Sequence, residues 1–167
     1  MYSIVKVGAF MTILAQLVTS FFAASGFAVV FNAPRRSLWL CGLVGMSGWI
    51  IYYPLMTNGV DVVGATAVAA IVVGIFSQIC ARVYKTPVII FNVAGIIPLV
   101  PGGIAYNAMR SFVEDNYNVG IELSARVMLL SGAIAIGLIF SEVINQLNKK
   151  YILCKKTKQQ KRRHEGR

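Results

Sequence analysis

The sequence is short of the residues that carry most enzyme chemistry. Histidine occurs once, at His164 near the C-terminus, and aspartate and glutamate together only six times in 167 residues. An active site or metal centre needs several such groups converging, and no two acids stand at catalytic spacing within the apolar stretches. The chain is therefore expected not to be an enzyme, and no metal or cofactor is implied. Three cysteines, Cys41, Cys80 and Cys154, do not suggest a disulfide framework. Charge is scarce too: 13% of residues are charged against 57% hydrophobic, with a mean hydropathy of +0.69. That composition departs far from a soluble globular domain and reads as an integral membrane protein.

What charge there is lies mostly at one end. Sixteen basic residues against six acids give a net +10, but residues 149–167 hold nine bases and one acid, so the rest of the chain is close to neutral. The basicity belongs to a tail and is not the footprint of a nucleic-acid-binding fold, so no nucleic acid is expected. Such a tail suits a solvated, partly disordered cytoplasmic anchor for anionic lipid headgroups, at about 1 kcal/mol per basic residue near the surface. The organisation expected is a five-span membrane domain over 1–148 and a basic cytoplasmic tail over 149–167.

Long uncharged runs supply the spans: Val7–Ala33, Ser37–Val60, Val62–Ala81 and Thr86–Met109 each reach the length needed to cross a bilayer as helix. A fifth, from about Ala125 to Leu147, qualifies once Arg126 and Glu142 are admitted. Arg35 and Arg36, then Arg82 and Lys85, then the tail fall at alternate connections, which marks the cytoplasmic side. Asp61 and the 110–124 loop, with Glu114, Asp115 and Glu122, fall on the other. The fold class expected is an all-α integral membrane protein of five transmembrane helices, N-terminus out and C-terminus in, Lys6 being the one discordant charge. The first stretch is longer than the apolar core of a signal peptide, so it is read as a span.

The fourth span is broken. Thr86 and Pro87 make a good helix start, a capping hydroxyl followed by a proline whose missing N–H costs nothing there. Pro98 and Pro101, near the middle, each remove the hydrogen bond to the carbonyl four residues earlier, which should free the oxygens of Ala94 and Ile97. Gly102 and Gly103 then supply backbone freedom to re-enter a helix. Unpaired backbone costs several kcal/mol per group in hydrocarbon, so such a break should face protein or a water-filled cavity. Half-helix ends of this kind hold substrates in transporters, and a solute carboxylate would suit the N–H groups near Gly102 and Gly103. The competing reading is a proline kink that serves packing alone.

The run from Gly95 to Gly103, Gly-Ile-Ile-Pro-Leu-Val-Pro-Gly-Gly, followed by Tyr106, resembles the hallmark of the threonine/serine exporter (ThrE) family. Phe31-Asn32-Ala33-Pro34-Arg35-Arg36 and the Gly42, Gly45, Gly48-Trp49 series are similar to that family as well, and the likeness extends from about Phe21 to Gly137. In length the chain resembles the small, YjjB-like subunit of the split two-component form. The resemblance implies export of small polar metabolites, either hydroxy amino acids such as threonine and serine or C4-dicarboxylates such as succinate. It further implies a proton-motive-force driver, a larger membrane partner subunit and residence in the bacterial plasma (inner) membrane. The alternative is a structural or channel-forming subunit without its own substrate site.

Candidate solute-binding residues are Asn92, Pro98, Pro101, Gly102, Gly103 and Tyr106, grouped around the break. Glu142, inside the fifth span with Asn145 one turn on, is the candidate proton carrier, or else a partner for another helix or loop lysines. Arg126 and the aromatics Trp49, Tyr52 and Tyr53 read as interface anchors, and Ser77 and Gln78 as hydrogen-bonding contacts between helices. Small residues four apart at Ser20/Ala24, Cys41/Gly45, Ala70/Gly74 and Ala133/Gly137 point to close helix contacts and association, homo-oligomers included.

Overall fold

A computed structural model describes residues 2–165, with side chains described for residues 11–147. The headgroup contacts expected of the basic tail rest on side chains outside that range. Six helices carry the described chain: α1 (Tyr2–Val30), α2 (Leu38–Thr57), α3 (Val62–Tyr84), α4 (Val88–Ile96), α5 (Gly102–Val113) and α6 (Tyr117–Glu165). Short 3-10 turns at Arg35–Ser37 and Ile97–Leu99 lead into α2 and out of α4. Four segments, Met11–Val30, Arg35–Thr57, Val62–Tyr84 and Tyr117–Leu147, are each long and apolar enough to span a membrane. The fifth is composite, α4 and α5 meeting at a 56° bend.

Whether α4 and α5 cross or dip and return is settled by the direction of their neighbours. Along α2 and the fourth segment, Gly45 approaches Pro98 and Gly48 approaches Leu99, so the two run parallel. On α3 and α6, Gly137 meets Ala67 and Ala70, and Ser141 meets Gly74 and Gln78, a second parallel pair. Parallel α3 and α6 require an odd number of crossings between them. The broken segment therefore traverses the bilayer, and the chain is an all-α membrane protein of five spans.

Local chemistry sets the helix ends. Asp61 caps α3, its Oδ2 accepting from the Val63 N–H at 3.2 Å. Lys85, at φ 52°, ends the same helix, with the Thr86 N–H bonded back to the Ala81 carbonyl at 3.2 Å. Thr86 is thus committed to terminating α3: its hydroxyl donates to the Tyr84 carbonyl at 3.2 Å and does not cap α4, which starts from Pro87 instead.

Hydrocarbon gives helices no hydrophobic reason to associate, so close backbone approach must do it. A Cβ at Gly45 would lie 2.6 Å from that of Ala24, one at Gly42 would collide with the Phe21 ring, and one at Gly95 would lie 2.5 Å from Val44. The small-residue pairs read from the sequence therefore seat α1 on α2 and α3 on α6. The outward face is apolar, with Met128, Ile136, Ile139 and Phe140 of α6 all exposed.

A Cβ at Gly137 would stand 2.7 Å from the Ala67 carbonyl, a backbone atom with no room to yield. Gly137→Ala should cost about 2 kcal/mol of overpacking and lower the melting temperature of the detergent-solubilised protein. Gly132→Ala, with nothing within 4 Å, should not lower it and should raise it slightly, alanine being the better helix former.

Candidate functional site

The break lies halfway through the bundle. Leu99 packs at Gly48, midway along α2, and Gly48 in turn meets Val73, midway along α3. There the backbone folds tightly: the Val100 N–H bonds the Ile97 carbonyl at 3.3 Å, and the Gly102 N–H bonds the Val100 carbonyl at 2.8 Å. The Ile97 oxygen, expected to be freed by Pro101, is recaptured by this 3-10 turn. Val100 itself is extended, and α5 starts afresh from Pro101, with the Ala105 N–H on the Pro101 carbonyl at 3.0 Å.

Gly102 and Gly103 stand where the chain re-enters a helix, in the first turn of α5, and neither has a positive φ. Each is exposed with no atom within 4 Å of where a Cβ would stand. Their effect is a bare first turn, at the end of the half-helix whose dipole is positive.

Three adjoining cavities surround the break. The central one, about 150 Å³, is lined by Trp49, Tyr52, Thr66, Pro98, Pro101 and Ile104, among others. Through Trp49 and Pro98 it adjoins a 260 Å³ cavity beside Gln16, Thr19 and Ser20 of α1. Through Val62, Ile104 and Leu130 it adjoins a third, of 360 Å³, at the end of the bundle where Asp61 and Arg126 lie. Trp49 divides the first two, donating from Nε1 to Gln16 Oε1 at 3.2 Å and stacking on Tyr52 with ring centroids 5.2 Å apart. Trp49 and Tyr52 are therefore cavity walls, where the sequence suggested interface anchors.

Towards the other end of the bundle, α3 and α6 share a polar cluster. Gln78 Nε2 lies 3.1 Å from both the Ser141 carbonyl and Ser141 Oγ, and 3.2 Å from Glu142 Oε2. Ser141 and Asn145, four apart, form the buried face of α6, while Glu142 sits at its rim and also accepts from Gln146. Ser77 Oγ and Asn145 Oδ1 are buried without a hydrogen-bond partner. Gln78 is five residues beyond Val73, so the cluster lies about 7.5 Å from the level of the break.

The structure thus sorts the sequence-derived site residues. Pro98 and Pro101 line the central cavity, while Gly102 and Gly103, exposed in the first turn of α5, line none of the three. Asn92 is one helix segment away, its Oδ1 buried and unpartnered but lining none of the three cavities. Tyr106 is 68% exposed on α5 and lines none of them either. Glu142 belongs to the separate α3–α6 cluster. Sequence reasoning undervalued Gln78 and passed over Ser141, because uncharged polar residues in apolar spans look the same whether they bind a neighbour or a solute.

A water-filled route would make its walls accessible to water-borne reagents even where outward residues are more exposed. In a cysteine-free background, Ile104→Cys should react with a hydrophilic maleimide roughly tenfold faster than Ile139→Cys on the lipid face, since water is absent from the hydrocarbon. Mass spectrometry of the labelled protein in membranes reads the two rates.

No solved structure matches this chain. A family model described as threonine/serine exporter, ThrE, matches residues 16–144, a stretch that takes in α2 to α5, the second half of α1, the break, all three cavities and Glu142. With that match over most of its length, this five-span chain belongs to the threonine/serine exporter (ThrE) family, a family of membrane transporters.

Proposed function

We propose that the chain is one half of an exporter of small polar metabolites, working by alternating access in the bacterial plasma membrane, N-terminus out and C-terminus in. The observation that carries this reading is the break at mid-depth with a cavity lined by both of its prolines, adjoining a second cavity at the end of the bundle. A packing kink needs no cavities, whereas a solute path does, and transporters commonly place substrate sites at discontinuous helices near the bilayer midplane. Substrates are threonine or serine, or C4-dicarboxylates such as succinate, held by their carboxylate near the first turn of α5. The proton-motive force drives export, with Glu142 carrying the proton and Gln78 responding to its charge. The orientation puts Arg35, Arg36, Arg82 and Lys85 inside, in keeping with the bias of basic loops.

A larger membrane subunit of the same family completes the pathway, and the unpartnered apolar faces of α1 and α6 offer it a surface. Phe22 and Val29 on α1 and Ile136 and Phe140 on α6 are all exposed. Five spans, an odd number, suit a half that packs against an inverted counterpart.

Uptake of labelled serine, threonine and succinate into inverted vesicles, with the chain alone and with its partner, tests the reading. Gradient-dependent accumulation is expected only with the pair. Its absence in both preparations would favour a structural or channel role. Gly103→Leu separates pathway from packing, because open space surrounds that position. The variant should assemble normally and lose transport by about tenfold, as an intruding side chain would block the half-helix end. Glu142→Gln should abolish gradient-driven accumulation while leaving solute exchange across the membrane.

A further inference from the structure

We propose that Asp61 and Arg126 form an outer binding subsite for a zwitterionic solute, Arg126 taking its carboxylate and Asp61 its ammonium. The two side chains line one 360 Å³ cavity, a volume suited to a small ligand. They carry opposite charges, yet no ion pair joins them among the described residues. Opposite charges that open into a shared cavity without meeting leave a gap for a molecule bearing both complements.

Each side chain has capacity left for a ligand. Asp61 spends Oδ2 on the Val63 N–H as helix cap, which leaves Oδ1. Arg126 has only a loose contact with Glu122, 3.6 Å at side chains about two-thirds exposed, and such surface pairs are weak and easily exchanged. Its planar fork is suited to a carboxylate. Between the charges the wall is apolar, made by Val62, Val63, Leu129, Leu130 and Ile104, and it fits a short side chain. Ile104, Val62 and Leu130 also line the cavity at the break, so the subsite opens directly onto the pathway.

The charge balance discriminates among solutes. A dicarboxylate satisfies Arg126 but meets Asp61 with like charge, whereas an α-amino acid satisfies both. The physiological meaning of the subsite rests on the export reading, but occupancy can be measured without transport. A phosphatidylethanolamine headgroup presents the same paired anion and ammonium, so the lipid must be varied.

The experiment is scintillation-proximity binding of labelled L-threonine to the purified full chain in nanodiscs of phosphatidylglycerol. Saturable binding displaced by L-serine and not by succinate is expected. Asp61→Asn and Arg126→Gln should each weaken it by about tenfold or more, as for loss of one partner of a charge pair. Arg126→Lys should recover part of the loss, and Glu114→Gln, outside the cavity, should leave binding unchanged. All variants are first matched for yield and monodispersity, and one that fails is replaced by Asp61→Ala or Arg126→Met, which likewise remove the charge. Undetectable threonine binding, unchanged affinity in both charge variants, or displacement by succinate as readily as by serine overturns the proposal. So does loss of threonine binding when phosphatidylethanolamine is added, which would make the site a headgroup site. Transport in vesicles keeps the two readings apart: accumulation unaffected by either variant sinks the subsite and leaves the exporter, whereas binding without accumulation sinks the exporter and leaves the subsite.

Discussion

The structure depends on one constraint, that a backbone interrupted at the middle of a bilayer must be satisfied without lipid. Pro98 and Pro101 remove two donors from the helical ladder, and each unpaired group in hydrocarbon would cost several kcal/mol. Part of the remedy is local, since the 3-10 turn gives the Ile97 carbonyl a new donor and a tight turn about Pro101 gives the Val100 carbonyl another. The rest is tertiary. Gly45 and Gly48 let α2 come against Pro98 and Leu99, and Ala24 of α1 seats behind Gly45, so one side of the break is walled by protein. The other side is left to the cavities. The glycines of α2 and the prolines of the broken span are therefore one device.

Much of this was legible in the sequence because the bilayer enforces it. Span number follows from uncharged length, and the break from prolines placed where a helix cannot excuse them. The small-residue spacing likewise marked faces of close contact, which the structure pairs as Ala70 with Gly137 and Ala24 with Gly45. Each of these is a local property of the chain, and hydrocarbon permits few alternatives to it.

The site was less legible, for reasons that can be named. Tyr106 was grouped with the break by distance along the chain, but α5 starts on a new axis after a 56° bend, and periodicity cannot be carried across such a joint. Gly102 and Gly103 mark the re-entry into helix, but the turn itself is made ahead of them by Ile97–Leu99 and extended Val100, which no local signal in the sequence specifies. Trp49 and Tyr52 looked like interface anchors because composition cannot tell an aromatic at a membrane surface from one facing a cavity. Gln78 and Ser141 are 63 positions apart, and only the parallel pairing of α3 with α6 brings them together.

That pairing has a mechanical consequence. Asp61 caps α3 and Gln78 lies further along it, while Arg126 and Glu142 occupy matching levels of α6. The two charged stations, one at each end of the bundle, are therefore built on the same two helices. Between them the contact is made by Ala70 and Gly74 against Gly137 and Ser141, small groups that interlock shallowly. Any displacement of α6 along α3 must alter the Gln78–Glu142 hydrogen bond and the separation of Asp61 from Arg126 together. The broken span adjoins this pair through Ile104 and Leu130, so a movement that changes the two ends also reshapes the cavity between them.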